Sequence, residues 1–296
     1  MTRSRTRASS ESETSLALYD EAARAAAAQV IGRYSTSFGL GTRMLPRAMR
    51  HHIECVYAMV RVADEIVDTY HGADAASLLD GFEAEVDRAM DGAFSTNLVA
   101  HAFGTTATAV GIDRSMVDPF FASMRMDLER TEHDEESFAR YVFGSAEVVG
   151  EMCLAVFANT GRGARPLDPE LRAGARRLGA AYQKVNFLRD LGADADGLGR
   201  SYFPGVDPHA LTDDQRDALV ADCREDLAAA RAVLPGLPRR ARVGVGTTID
   251  IYDRLLARIS ATPASALVAT RIRVPDPTKL ALAARNIARP RPGGTP

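Results

Sequence analysis

Four aspartates stand in two pairs, Asp64/Asp68 and Asp190/Asp194, the members of each pair four residues apart. On a helix, at ~100° per residue, that spacing points both carboxylates of a pair the same way. Like charges so placed destabilise an isolated helix by roughly 0.2–0.5 kcal/mol, and burying them costs more unless cations compensate. Mg²⁺ suits such a pair. It takes one or two carboxylates, keeps several waters and lets phosphate oxygens complete its octahedron. Two pairs facing each other across a bundle would hold a cation-bridged diphosphate.

A single pair of this kind is ordinarily a solvated helix face. Here each pair belongs to a longer polar stripe. Tyr57, Arg61, Asp64 and Asp68 follow at spacings of four, three and four, and Gln183, Asn186, Asp190 and Asp194 at three, four and four. Arg61 and Arg189 add fixed positive charge for phosphate, Asn186 an amide oxygen suited to a hard cation, and Gln183 a hydrogen-bonding amide. The flanking residues, among them Val60, Val62, Ile66, Val67, Val185, Phe187, Leu188 and Leu191, are too apolar for freely solvated helices. A calcium-loop reading at Asp194–Gly197 fails, because the register puts Gly192 at the first ligand and Phe203 at the bidentate glutamate. HExxH, GxSxG and phosphate-loop glycine patterns are missing, and the histidines form no ligand cluster.

The elements that must position these stripes read as helices. Helical periodicity recurs at roughly 14–32, 46–70, 75–90, 95–110, 114–129, 135–160, 168–194, 213–232, 237–261 and 276–287. Leu45-Pro46, Gly111, Gly161–Pro166, Gly197–Pro208 and Pro235–Pro238 mark the breaks, and Asp168-Pro169-Glu170 reads as an N-cap with proline in the first turn. The best strand candidate, Val268–Val274, has no partner. The expectation is an all-α fold: one domain over 14–287, a bundle of long antiparallel helices around a central apolar cavity. Disordered tails are expected at 1–13 and 288–296.

The 296 residues carry a net charge of −3, so there is no basic excess to suggest nucleic acid. Cys55, Cys153 and Cys223 are far apart and sit in apolar surroundings, as reduced buried thiols do. The N-terminus lacks the apolar core of a secretory signal, and no stretch reads as a membrane span. A cytoplasmic chain, peripheral to the membrane at most, is expected. Oligomeric state is not legible.

With these residues in place, the sequence resembles the phytoene/squalene synthase family, most of all its bacterial phytoene synthases. Tyr34-Ser-Thr-Ser-Phe38 resembles the family's serine-rich opening. Val56–Asp68 resembles its first aspartate motif, and Tyr141–Gly150 the helix between the two motifs. Gln183–Asp190, continuing through Asp194 to Gly199-Arg-Ser-Tyr-Phe-Pro204, resembles the second motif, and Arg273–Leu280 the closing segment. The matches run in family order from about Tyr34 to Leu280.

The resemblance implies a Mg²⁺-dependent prenyl transferase, with Mn²⁺ as the alternative cation, joining two prenyl diphosphates head to head through a cyclopropylcarbinyl diphosphate. It implies that Asp64 and Asp68 bind metal at one diphosphate, and Asn186, Asp190 and Asp194 at the other. Tyr57, Arg61, Gln183 and Arg189 would contact diphosphate oxygens, with Ser35, Ser37 and Phe38 near the same end. Tyr141 would line the cavity beside cationic intermediates, and Tyr252 matches an active-site tyrosine of the family. Three products compete: phytoene from two C20 chains, and squalene or dehydrosqualene from two C15 chains, of which only squalene needs NADPH. Phytoene is the expectation. Lipid substrates imply transient contact with a membrane surface. Four departures stand out: Tyr34 where the opening motif often has His, Ala193 where Glu is common, Ser145-Ala-Glu147 for an Ala-Gly pattern, and a longer run from Asp194 to Arg200. A non-catalytic assembly relative would lack acids or arginines from the stripes, and none is lost here.

Overall fold

The computed structural model describes residues 2–35 and 37–288, with side chains from Ser15 onward except that of Ser37. Thirteen α-helices are described. α1 (Thr2–Tyr34) is followed by the short α2 (Ser37–Arg43), then α3 (Arg47–Asp68), α4 (Ala75–Met90), α5 (Leu98–Val110), α6 (Arg114–Glu129) and α7 (Glu135–Val142). A π-helical turn, Phe143–Glu147, joins α7 to α8 (Val148–Asn159). The long α9 (Pro169–Leu198), α10 (Asp213–Val233), α11 (Arg239–Ser260), the single turn α12 (Ala264–Leu267) and α13 (Asp276–Ala288) complete the chain. Among the described residues the only strand-like pairing is an isolated bridge between Glu132 and Ser201. The all-α expectation holds, and Val268–Val274, which opens in a turn at Val268 and Ala269, is a strap between α12 and α13.

Local chemistry sets the boundaries. Asn97, Asp113 and Asp168 accept backbone N–H groups in the first turns of α5, α6 and α9, and capping boxes open α7 (Asp134/Ser137) and α10 (Thr212/Gln215). Gly199, at φ 65°, ends α9 in the left-handed conformation that favours glycine. This end lies beyond the expected break at Gly197. α2 and α12 are too short to show a helical period. α1 begins at Thr2, within the stretch expected as a disordered tail; of the expected C-terminal tail, Ala288 closes α13 and the rest lies outside the described residues.

Besides a small cluster of Ala23, Ala27, Cys55, Ala58 and Ala102, burial is organised in two large apolar clusters. One gathers Met59, Phe103, Phe120, Phe121 and Met152 from α3, α5, α6 and α8. The other gathers Leu188, Leu227, Ile249, Leu256 and Ile259 from α9, α10 and α11. Residues of both clusters line one cavity of about 600 Å³. An 18-residue window within Glu135–Asn159, with a mean hydropathy of 1.5, is apolar enough to cross a membrane, yet 56% of it is buried among the other helices, as a core helix is.

Candidate active site

The two aspartate stripes sit near the C-terminal ends of α3 and α9. A helix C-terminus carries about half a negative charge, so carboxylates there are doubly disfavoured without cations. The cavity gathers Ser35, Phe38, Tyr57, Arg61, Asp64, Asp68, Tyr141, Gln183, Asn186, Arg189, Asp190, Asp194 and Tyr252 on its walls. Every expected site residue is there except Ser37, whose side chain lies outside the described residues.

Electrostatics ties the two pairs together. Burial pushes the Asp64 carboxyl up to about 8, with Asp68 adding to the rise and Arg61, 3.8 Å away, only partly offsetting it. Burial likewise raises Asp194 to about 7, with Asp190 and, from the other helix, Asp68 contributing. Asp68 therefore acts on both stripes, so the pairs share one field across the cavity. The Asp64 side chain keeps 32% of its exposure, open to a ligand in the cavity.

Cations already ring the acids. Arg189 Nε donates to Asp190 Oδ1 at 3.1 Å, and Arg271 Nε, from the strap, approaches the same oxygen at 2.7 Å. Arg61 pairs with Glu65, and its guanidinium lies over the Tyr34 ring at 4.5 Å. Tyr34, which stands where the family often has His, thus keeps a contact with this arginine. The Arg61 Nε is buried and has no hydrogen-bond acceptor, a donor left over for an anion. Aromatic pairs brace the walls: Phe38 against Tyr57 at 5.8 Å, Tyr182 against Tyr252 at 4.0 Å, and Phe187 against Tyr202 at 4.0 Å. Tyr252 O–H donates to Asn186 Oδ1 at 3.3 Å and orients it. Ser35 Oγ accepts the Phe38 N–H at 3.2 Å, so this serine helps shape α2.

A second polar group lies behind the acids; Arg200 and Tyr202 fall within the Gly199–Pro204 stretch likened to the second motif, but no role was read for them, and Asp127 was not picked out. Asp127 of α6 accepts from Tyr141 O–H at 2.8 Å and Tyr202 O–H at 3.2 Å. Burial lifts its carboxyl to about 7 against the pull of Arg200. Arg200, itself buried, donates to Asp68 Oδ1 at 2.6 Å, to the Val67 carbonyl at 2.9 Å and to the Asp127 carbonyl at 3.0 Å. A signal for Asp127 existed. Val117, Phe120, Met124 and Asp127 share one apolar stripe, so a carboxylate there had to be buried. Arg200 and Tyr202 follow α9 in a loop without periodicity, and Arg271 lies in the strap, where no pattern marks it.

Among the described residues no group of three His, Cys, Asp or Glu side chains stands close enough to enclose a metal by itself. That argues against a closed protein cage and fits a hard cation held by one or two carboxylates, waters and phosphate oxygens. The raised Asp64 and Asp194 carboxyls fit it as well, since a divalent ion would relieve their crowding.

The squalene/phytoene synthase family model matches residues 31–278. The 15-cis-phytoene synthase of Synechocystis is 29% identical over 276 residues, covering 85% of this chain and 80% of that protein. The phytoene synthase of Mycobacterium tuberculosis is 29% identical over 248 residues, 77% of this chain and 78% of its own. Among solved structures, a dehydrosqualene synthase in complex with ligand superposes with a TM-score of 0.79 at 20% identity, over 91% of this chain and 96% of that one. Squalene synthase HpnC from Alicyclobacillus acidocaldarius does so at 0.73 and 22%, over 83% and 97%. At those identities the structures speak for the fold, and the family match for the chemistry. The chain belongs to the squalene/phytoene synthase family, prenyltransferases that condense two prenyl diphosphates head to head.

Proposed function

We propose that this chain is a phytoene synthase, condensing two geranylgeranyl diphosphates through a cyclopropylcarbinyl diphosphate without NADPH. The observation that carries the choice of C20 substrate is the length of the cavity. Its α9 wall runs from Asp190 back to Leu171, nineteen residues or about 28 Å at ~1.5 Å per residue. Beyond Gln183 that wall is apolar or small: Leu178, Ala175, Gly174, Leu171. An extended C20 prenyl chain, with sixteen carbons in line at ~1.25 Å of projected length each, spans about 20 Å, and a C15 chain about 15 Å. The longer chain fills the apolar wall, and the shorter leaves its end empty. The phytoene synthases among the relatives support the same reading.

In this reading Asp64 and Asp68 hold Mg²⁺, or Mn²⁺ in its place, at one diphosphate, and Asn186, Asp190 and Asp194 hold it at the other. Bound there, the cations neutralise the diphosphate and make it a better leaving group. Arg61, Arg189 and Arg271 supply fixed positive charge to the phosphate oxygens, with Tyr57 and Gln183 as hydrogen-bond partners. Ser35 and Phe38 form the wall at that end. When the first diphosphate leaves, the faces of Tyr141, Phe187 and Tyr202 steady the allyl cation, while apolar walls exclude water that would quench it. The second chain's double bond attacks that cation. The second ionisation and rearrangement follow in the same enclosure, and the departing diphosphate accepts the proton that is lost, so no side-chain base is required. The enzyme would work in the cytoplasm, at the membrane surface where its lipid substrates gather.

Incubation with Mg²⁺ and either C15 or C20 diphosphate, with and without NADPH, tests the proposal. A C40 triene from the C20 substrate without reductant supports it. A C30 product alone would replace it with the squalene or dehydrosqualene reading, and no product from folded protein would favour a non-catalytic relative.

A further inference from the structure

The C-terminal segment differs in charge from the rest of the chain. From Arg271 to the end there are six basic residues (Arg271, Arg273, Lys279, Arg285, Arg289 and Arg291) against one acid, Asp276, in a chain whose net charge is −3. The same segment carries an unpartnered apolar stripe. α13 packs on α11 through Ala283 and Asn286, and Asn286 Nδ2 donates to Asp250 at 2.7 Å. Its outer side presents Leu280, Ala284 and Ile287, at i, i+4 and i+7. Leu280 and Ile287 keep 59% and 60% of their surface. Arg271 pairs with Asp190, Lys279 with Asp276 and Arg285, still 55% exposed, with Asp250, while Arg273 is exposed. With the leucine and isoleucine they make an amphipathic surface whose segment carries net positive charge.

Its place in the fold adds a third observation. Arg271 stands on the rim of the cavity, paired with Asp190, and the strap from there to Asp276 spans at most about 18 Å. The strap is seated on α9 by close contact: a Cβ built on Gly192 would lie 1.8 Å from the Val268 carbonyl oxygen. The apolar stripe is thereby tethered to the entrance of a cavity made for long hydrocarbon chains. Leu16 and Leu18 of α1 are also exposed, but have Asp20 and Glu21 beside them in sequence.

We infer that the outer face of α13, with the basic segment around it, docks the enzyme on an anionic lipid bilayer and brings the cavity mouth to the membrane. Leu280, Ala284 and Ile287 enter the boundary between headgroups and acyl chains, and the exposed Arg273 and Arg285 meet lipid phosphates. The inference rests on the prenyl substrates proposed above, but it is tested without them.

The test is co-sedimentation of the full chain with phosphatidylcholine vesicles containing phosphatidylglycerol, against phosphatidylcholine alone. The expected result is binding to the anionic vesicles, weakened by added NaCl as screened charge requires. L280E/I287E should weaken it at least tenfold, with turnover of detergent-dispersed substrate unchanged. Should that variant misfold, L280Q/I287Q tests the same face without added charge. Truncation after Ala288, which removes Arg289 and Arg291, should weaken binding by a smaller factor. Absence of binding to anionic vesicles overturns the inference, as does equal binding by wild type and the face variants. So does a face variant whose effect is to dissociate a dimer, read by light scattering, since a second copy of the chain would then be the occupant.

Discussion

Asp64 and Asp194 hold their protons more tightly than a free aspartate because burial and neighbouring carboxylates oppose their ionisation. A cation must displace those protons, so two pH effects follow. Affinity for Mg²⁺ together with pyrophosphate should rise from about pH 6 to about pH 8.5, with protons released on binding. Calorimetry in buffers of different ionisation enthalpy measures both. The sign for stability is the reverse: folded-state pKa values above the unfolded ~3.9 mean that the folded chain binds more protons, so the metal-free protein loses stability as pH rises from about 4 to about 8. Arg200 is the cation that joins Asp68 to Asp127. R200M leaves Asp127, 8% exposed, without its charge partner, and should cost about 3 kcal/mol in denaturant unfolding, at the low end for a buried pair because Asp68 is partly solvated. At this scale the two stripes were legible because their spacing matches the helix period. Arg200 was legible only as part of the Gly199–Pro204 stretch, without a role, and Arg271 not at all, since a loop or strap residue gains its meaning only from what it meets in three dimensions.

The element that sets the geometry of the α9 stripe is the π-helical turn Phe143–Glu147. It packs against α9, where a Cβ on Gly179 would lie 2.2 Å from the Ala146 carbonyl oxygen, and against α6, where a Cβ on Gly144 would lie 2.1 Å from that of Pro119. Both obstacles are backbone and cannot swing aside. G179A should therefore shift α9 against the turn, cost about 1–3 kcal/mol in urea unfolding and raise KM by displacing Gln183 and Asn186, four and seven residues on. The long helices were readable from periodicity and their caps, and glycine at Gly144 and Gly150 could be read as permitting close approach. The π turn could not, because one inserted residue leaves the apolar pattern of α7 and α8 continuous.

Across the whole molecule, function depends on a gradient along one cavity, acidic where α3 and α9 end and apolar toward Leu171. Filling the apolar end should shorten the accepted chain. L171W is expected to lower kcat/KM for the C20 diphosphate about tenfold and to leave the C15 substrate less affected, as steady-state kinetics with each would show. Family order along the chain was legible from the motifs, whereas cavity length depends on which helices lie side by side, which spacing within one helix does not reveal. The most direct test of the central claim is a competition, with equal amounts of the C15 and C20 diphosphates, Mg²⁺ and no NADPH, the products resolved by mass. The account predicts that the C40 triene dominates and that no product forms when Mg²⁺ is chelated. A dominant C30 hydrocarbon, or turnover that survives chelation, would contradict it.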